Sequence, residues 1–274
     1  MHATQEWYDL YTESRTDDLR RFFDYYIKGH DNGWVQTPRF RLSVLGFNQP
    51  TQINLPFETV PWGSEGSQHH RLHLIPDMRL GAKSDATVSS VVYRESMELS
   101  FAHTFAQPVT IAGPSKLVIH MSSTIDDFDV YCQLRKADAA GTLLEHGNMP
   151  LQDLGVSSWD EVSRSSVLRY LGPSGILRAS RRVVSRALSQ KHWDALALEK
   201  DEPVPPGQIV RLEIWIWPTA IAFEAEEQLV LKVAGHNMGL SDFENTPGNS
   251  SWDRGTSTIY MGGEYESYLE YSQL

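Results

Sequence analysis

Cysteine is nearly missing from this sequence, with Cys132 the single one. No internal disulfide can form, and the chain suits a reducing compartment. Positive charge is short as well: 35 acidic against 24 basic residues leave a net charge of −11. A nucleic-acid binder needs a basic footprint to displace counterions from phosphate, and none is present. The same deficit argues against an anionic membrane surface. No apolar run approaches the roughly 20 residues that span a bilayer, and no signal segment opens the chain. Cytoplasm is therefore the expected location. The first residues do not read like a natural start, which leaves room for a preceding segment that carried an address. One glycosylation triplet, Asn249-Ser250-Ser251, means little without a signal peptide. These absences leave a small neutral or cationic ligand, or another protein surface, as the partner.

Catalytic signatures are missing too. An α/β-type serine hydrolase needs Gly-x-Ser-x-Gly, because only that tight strand-to-helix turn exposes the hydroxyl. Gly-x-Ser occurs with serine at 115, 157, 174, 241, 250 and 257, but the residues two further on are Leu117, Trp159, Ile176, Phe243, Trp252 and Ile259. No nucleophile elbow exists. His69, His70 and His73 stand close together, as on one side of a turn. No Cys-x-x-Cys or His-Glu-x-x-His accompanies them, so a solvated polar loop is expected and no metal. Glu264 follows Gly262-Gly263, and its charge would repel a phosphate. No cofactor is expected.

What is present is a chain of 274 residues, 41% hydrophobic and 22% charged, with eight Trp and eleven Tyr. Such a chain buries an ample core, and its aromatics favour strands. Glu13 to Lys28 reads as a helix, capped by Thr12 or Ser14 and ended by Gly29. Leu19, Phe22, Phe23, Tyr26 and Ile27 fall on one face. One amphipathic helix cannot bury that stripe by itself, which predicts an exposed apolar patch around residues 7–27.

From about Arg39 the period changes to two. Strands are expected at Arg39–Leu45, Arg71–Ile75, Met97–Phe101, Ser115–Ser122, Asp129–Arg135, Val210–Trp217, Gln228–Ala234 and Ser257–Met261. Many short strands with Gly, Pro, Asn and Asp between them indicate a sandwich or barrel. Ser158-Trp159-Asp160-Glu161 has the form of a capping box, which predicts a helix continuing from Val162 to Leu171. Residues 153–200 then read as a long, partly helical crossover over the sandwich.

Two acidic clusters stand out, Asp126-Asp127-Phe128-Asp129 and Glu264-Tyr265-Glu266. Such runs are usually turn caps or solvated faces. Asp129 precedes a strand, where its carboxylate can hold Arg135 or a neighbouring loop in a charge-assisted bond.

Several strings together resemble one family. Phe22-Phe23-Asp24 through Asp31-Asn32-Gly33 is similar to the helix and turn that leave the hydrolase domain of cocaine-esterase-like enzymes. IDDFDVYCQLRK (Ile125 to Lys136) and GILRASRR (Gly175 to Arg182) resemble two further segments. Pro206-Gly207, Arg211 to Ile214, Trp217-Pro218-Thr219, Phe223-Glu224-Ala225, Ala234 to Asn237, Gly255 to Tyr260 and Gly262 to Tyr265 follow in order. Each string is weak alone, but in sequence they span residues 20 to 270. The chain thus resembles the C-terminal domain of X-Pro dipeptidyl-peptidase and cocaine-esterase-like (CocE/NonD) serine hydrolases.

That resemblance implies a mainly-β jelly roll, galactose-binding-domain-like, over residues 39–274. A helical remnant of a hydrolase domain would occupy residues 1–38. It also implies an α/β-hydrolase domain as partner, whose active site this sandwich helps to wall, with a homodimer as a further expectation. Asp129, Arg135, Arg178, Glu264 and Tyr265 become structural or pocket-shaping candidates. His2 or Glu6 falls near the place of the triad histidine. The chain departs from the pattern in lacking the hydrolase Ser and Asp, in having Arg181 where the family commonly has His, and in extra residues between Val156 and Gly175. The rival reading is a stand-alone carbohydrate- or peptide-binding module.

Overall fold

The computed structural model describes residues 12–62, 68–162, 168–190, 193–239 and 255–274. His2 and Glu6 lie outside them, as do residues 7–11 of the expected apolar patch. Helix α1 (Glu13–Tyr26) comes first. Thr12 holds the N-cap position with extended backbone, but its side chain makes no capping bond. Gly29 takes the left-handed conformation that ends helices, and Asn32 donates its amide to the Arg21 carbonyl at 2.8 Å. A 3-10 turn (Trp34–Gln36) then leads to a hairpin of β1 (Phe40–Val44) and β2 (Gln52–Phe57).

The remaining chain builds the sandwich. Its strands are β3 (Gln68–Ile75), β4 (Arg79–Gly81), β5 (Ser89–Arg94), β6 (Glu98–Thr104), β7 (Val109–Ser123), β8 (Asp129–Ala137), β9 (His146–Gly147), β10 (Arg169–Tyr170), β11 (Ser174–Arg178), β12 (Val184–Gln190), β13 (Trp193–Leu196), β14 (Val210–Phe223), β15 (Gln228–Ala234), β16 (Thr256–Met261) and β17 (Tyr268–Gln273). One layer runs β11-β8-β15-β6. The other gathers β3, β17, β16, β5 and β14 around the long β7, and β4 bridges the layers at one edge. All other pairings among these strands are antiparallel.

Alternation explains the core. Phe101, Leu134 and Leu231 face inward from one layer, and Leu117, Ile119, Leu212, Ile214, Ile259 and Leu269 from the other. Each such side chain contributes roughly 1.5–3 kcal/mol by leaving water. The longest pair, β7 with β14, is interrupted between Ile216 and Thr219. Pro218 has no N–H for the ladder, and Pro114 lies between the facing residues Gly113 and Ser115, so the strands bulge there. Gly113 has φ +96°, and a Cβ on it would lie 2.5 Å from the Trp62 ring. Trp62 thereby sits on the sheet and joins Val44, Ala112 and Ala220 in a small cluster under the β1–β2 hairpin.

None of the described residues of the helix expected from Val162 to Leu171 is helical. A 3-10 turn spans Trp159–Glu161, and the Glu161 carboxylate accepts the Ser157 and Ser158 N–H groups at 2.8 and 3.0 Å. Val162 then leaves with extended backbone, and Arg169–Tyr170 pairs with His146–Gly147 as a strand. Residues 163–167 lie outside the described ones. The reason is the buried Arg169, whose guanidinium takes the Trp159 and Val162 carbonyls that a continued helix would need for its own ladder. Gly172 completes the turn into β11 with φ +138°. The basic stretch that follows is ordered by the segment returning beside it. Arg181 donates to the Leu198 and Lys200 carbonyls, and Arg182 to the Glu202 carbonyl and carboxylate. Beyond it, β12 and β13 form a hairpin against the outer face of β14.

Candidate functional site

Asp129 and Arg178 face each other across β8 and β11. The guanidinium donates to both carboxylate oxygens, at 2.8 and 3.0 Å, and the carboxylate beside it raises the Arg178 pKa. Asp129 therefore holds a neighbouring segment, and the Arg135 alternative is wrong. Asp129 and Arg135 share one face of β8 but lie about 20 Å apart along extended chain. Arg135 is instead buried and donates to the Leu144 carbonyl at 3.2 Å, where burial lowers its pKa.

The Asp129–Arg178 pair rims a cleft of about 130 Å³ with Glu95, Ile125, Asp126, Asp127, Phe128 and Gly235. Asp127, at φ 47°, accepts the Ser180 N–H at 2.8 Å. It thereby ties the 3-10 turn at Ala179–Arg181 to the entry of β8. This acidic run is a cap, as expected of such sequences. Arg178 is more than half exposed, so Arg178→Ala should reduce stability by under about 1 kcal/mol in chemical denaturation. A loss several times larger would show that the pair organises more than its own strand end.

Glu264 and Tyr265 lie apart from that cleft, in a turn closed by the Tyr265 N–H on the Gly262 carbonyl at 2.9 Å. Glu264 is exposed, whereas Tyr265 packs on His120 at 5.6 Å and Tyr260 at 5.3 Å. His69, His70 and His73 are not in a loop. They lie on β3, with His70 stacked on Tyr271 and His73 against Tyr268. Among the described residues no group of three His, Cys, Asp or Glu could hold a metal ion. None of the described helices is long and apolar enough to cross a membrane.

A second charged group joins β6 to β15. Glu98 bonds Lys232 and lies 3.7 Å from His236. The His236 ring beside it, aided by Lys232, lowers the Glu98 pKa to about 2, and Glu98 in turn raises that of His236. The two shifts act in opposite pH ranges. The Glu98 contribution is present above its unfolded value of 4.5 and disappears as pH falls towards 2. The His236 contribution is present below 6.5 and disappears as pH rises through its raised value. Wild type should therefore exceed Glu98→Gln in stability most at about pH 5–6, by under about 1 kcal/mol because Glu98 is partly exposed. Denaturation curves from pH 3 to 8 check this; a gap that keeps widening below pH 4 would contradict it.

The largest anomaly is on α1. None of its residues is buried. Leu19, Phe22, Phe23, Tyr26 and Ile27 are all exposed, Tyr26 by 63% and Ile27 by 73%. The Phe22 ring packs against those of Phe23, Tyr26 and Trp34. Polar contacts attach the helix to the hairpin: Asp18 to Arg41, and Arg15 to Asn54 at 3.2 Å. The expected patch is present over residues 19–27.

The architecture is that of a jelly-roll β-sandwich domain with a helical N-terminal extension. Residues 32–270 match the X-Pro dipeptidyl-peptidase C-terminal non-catalytic domain, and the chain belongs to that family. Its fold is similar to a CocE/NonD family hydrolase from Staphylococcus aureus, with TM-score 0.80 and 20% identity over 98% of this chain and 47% of that one. An aminopeptidase from a marine sediment Thaumarchaeota archaeon gives TM-score 0.61 and 13% identity over 94% and 44%. An alpha-amino acid ester hydrolase gives 0.60 and 15% over 95% and 45%. The chain thus spans just under half the length of each. No curated protein matches it.

Proposed function

We propose that this chain is the sandwich module of a serine hydrolase of the dipeptidyl-peptidase or esterase type. In this reading it packs, through the apolar face of α1, on an α/β-hydrolase domain and shapes that domain's active site. The observation that carries the proposal is the wet stripe from Leu19 to Ile27. Leaving several such side chains in water forgoes roughly 1.5–3 kcal/mol apiece, so a covering surface is expected. The family match begins at residue 32, past α1, which fits a helix that belongs to what packs beside the sandwich. Residues 1–38 are then the helical link and residues 39–274 the sandwich. A galactose-binding-like ancestry and a cytoplasmic location fit the sandwich and the buried free thiol of Cys132. Without another domain, the same face favours self-association as a homodimer.

The chemistry of acyl transfer would come from the partner domain, since the sequence has no nucleophile elbow. The isolated chain should therefore hydrolyse neither X-Pro dipeptide nor simple ester substrates above background. Assays with purified chain, together with fluorophosphonate labelling, check this. Turnover accompanied by a labelled serine would overturn the reading.

One observation favours the binding-module alternative. Trp193 stacks on Trp215 at 4.9 Å, and Trp217 beside them is 66% exposed. Sugars and peptides stack on such surfaces. If that reading holds, titrating the chain with oligosaccharides or proline-containing peptides shifts tryptophan fluorescence, and Trp217→Ala abolishes the shift.

A further inference from the structure

Lys136 is a charged side chain on the core side of its strand. It shares the inward parity of Leu134 and Cys132 on β8 and has no measurable exposure. Its ammonium has three donors and three acceptors: Glu227 Oε2 at 2.7 Å, the Ala222 carbonyl at 2.8 Å and the Gly46 carbonyl at 2.9 Å. Glu227 is also buried. Its carboxylate accepts the Asn48 amide at 2.7 Å and the Glu224 N–H at 2.7 Å. Gly46 and Asn48 belong to the loop joining β1 to β2. Next to them Leu45 exchanges backbone bonds with β14, its N–H to Ala220 at 2.9 Å and its carbonyl to Ala222 at 3.0 Å.

A buried ion pair adds little net stability over an apolar pair of the same shape, but losing one partner is strongly unfavourable. What it supplies is direction, because each bond admits one geometry. The hairpin needs that direction. Of β1 and β2, Val44 alone is fully buried, against the small Ala112–Ala220 cluster. The hairpin in turn carries α1 through Asp18–Arg41 and Arg15–Asn54.

We infer that Lys136 and Glu227 form a buried ionic latch that fixes the β1–β2 hairpin, and through it the α1 face, in one orientation on the sandwich. Its functional meaning rests on the reading of α1 as a docking face; its existence does not. The test is amide hydrogen exchange by mass spectrometry on the whole chain, comparing wild type with Asn48→Ala and Lys136→Met. Asn48→Ala removes one bond between loop and latch and leaves the ion pair whole. It should speed exchange across residues 40–57 about tenfold, with residues 109–123 and 210–223 unchanged. Lys136→Met should speed hairpin exchange further. Should that variant not fold, Asn48→Ala decides alone. Hairpin exchange unaltered in the variants that fold, or hairpin and sandwich strands accelerated equally, overturns the latch. If the hydrolase domain fails to bind while the exchange result holds, the docking reading falls and the latch stands.

Discussion

Replacing both Phe22 and Phe23 with Asp should raise solubility and leave a monomer, with the sandwich intact. Both rings lie on the exposed face of a helix that contributes nothing to the core. Their removal therefore costs the sandwich little, and its unfolding free energy should change by under about 0.5 kcal/mol. Solubility should change much more, because two charges replace the centre of an apolar patch. Light scattering across a concentration series reads the first effect, and urea denaturation the second. If the double variant unfolds the sandwich, α1 belongs to its core and the docking face loses its physical basis.

A chain ending at Ser267, without β17, should fail to fold at all. This strand lies between β3 and β7 and pairs with both. Tyr268, Leu269 and Tyr271 are buried. At roughly 1.5–3 kcal/mol each, their loss matches a large part of the 5–15 kcal/mol that holds an ordinary domain together. Two hydrogen-bond ladders would be left open as well. Circular dichroism against denaturant should show no cooperative transition. A cooperative transition near that of the full chain would mean that β3 and β7 close on each other without it.

That strand also shows where the sequence stops being readable. A segment with one wet face, such as Arg39–Leu45, alternates visibly, and a strand stands there. Tyr268–Gln273 is covered on both sides and has no alternation to read. Gln52–Phe57 is mostly exposed and contains Pro56, so it looks like a loop. The helix expected after Val162 follows from a sound local signal, but Arg169, brought in by tertiary structure, takes its carbonyls. The stripe on α1 was legible because five apolar residues at helical spacing have only one use.

The site is less legible in the sequence than the fold. Asp129 stands out in the sequence, but its partner follows from cross-strand pairing with Arg178, which a single sequence does not display. Lys136 did leave a signal, since a lysine in phase with Cys132 and Leu134 must meet an acid in the core. Glu227, far along the chain, completes it only when β8 and β15 are side by side.

The central claim is that the α1 face docks on an α/β-hydrolase domain. The most direct measurement is a binding titration, by calorimetry, between this chain and an α/β-hydrolase domain of the same family. The account predicts a one-to-one complex, with a negative heat-capacity change from buried apolar surface, that disappears in the Phe22→Asp, Phe23→Asp chain. No binding by the wild-type chain, or binding that the double variant leaves unchanged, would contradict it.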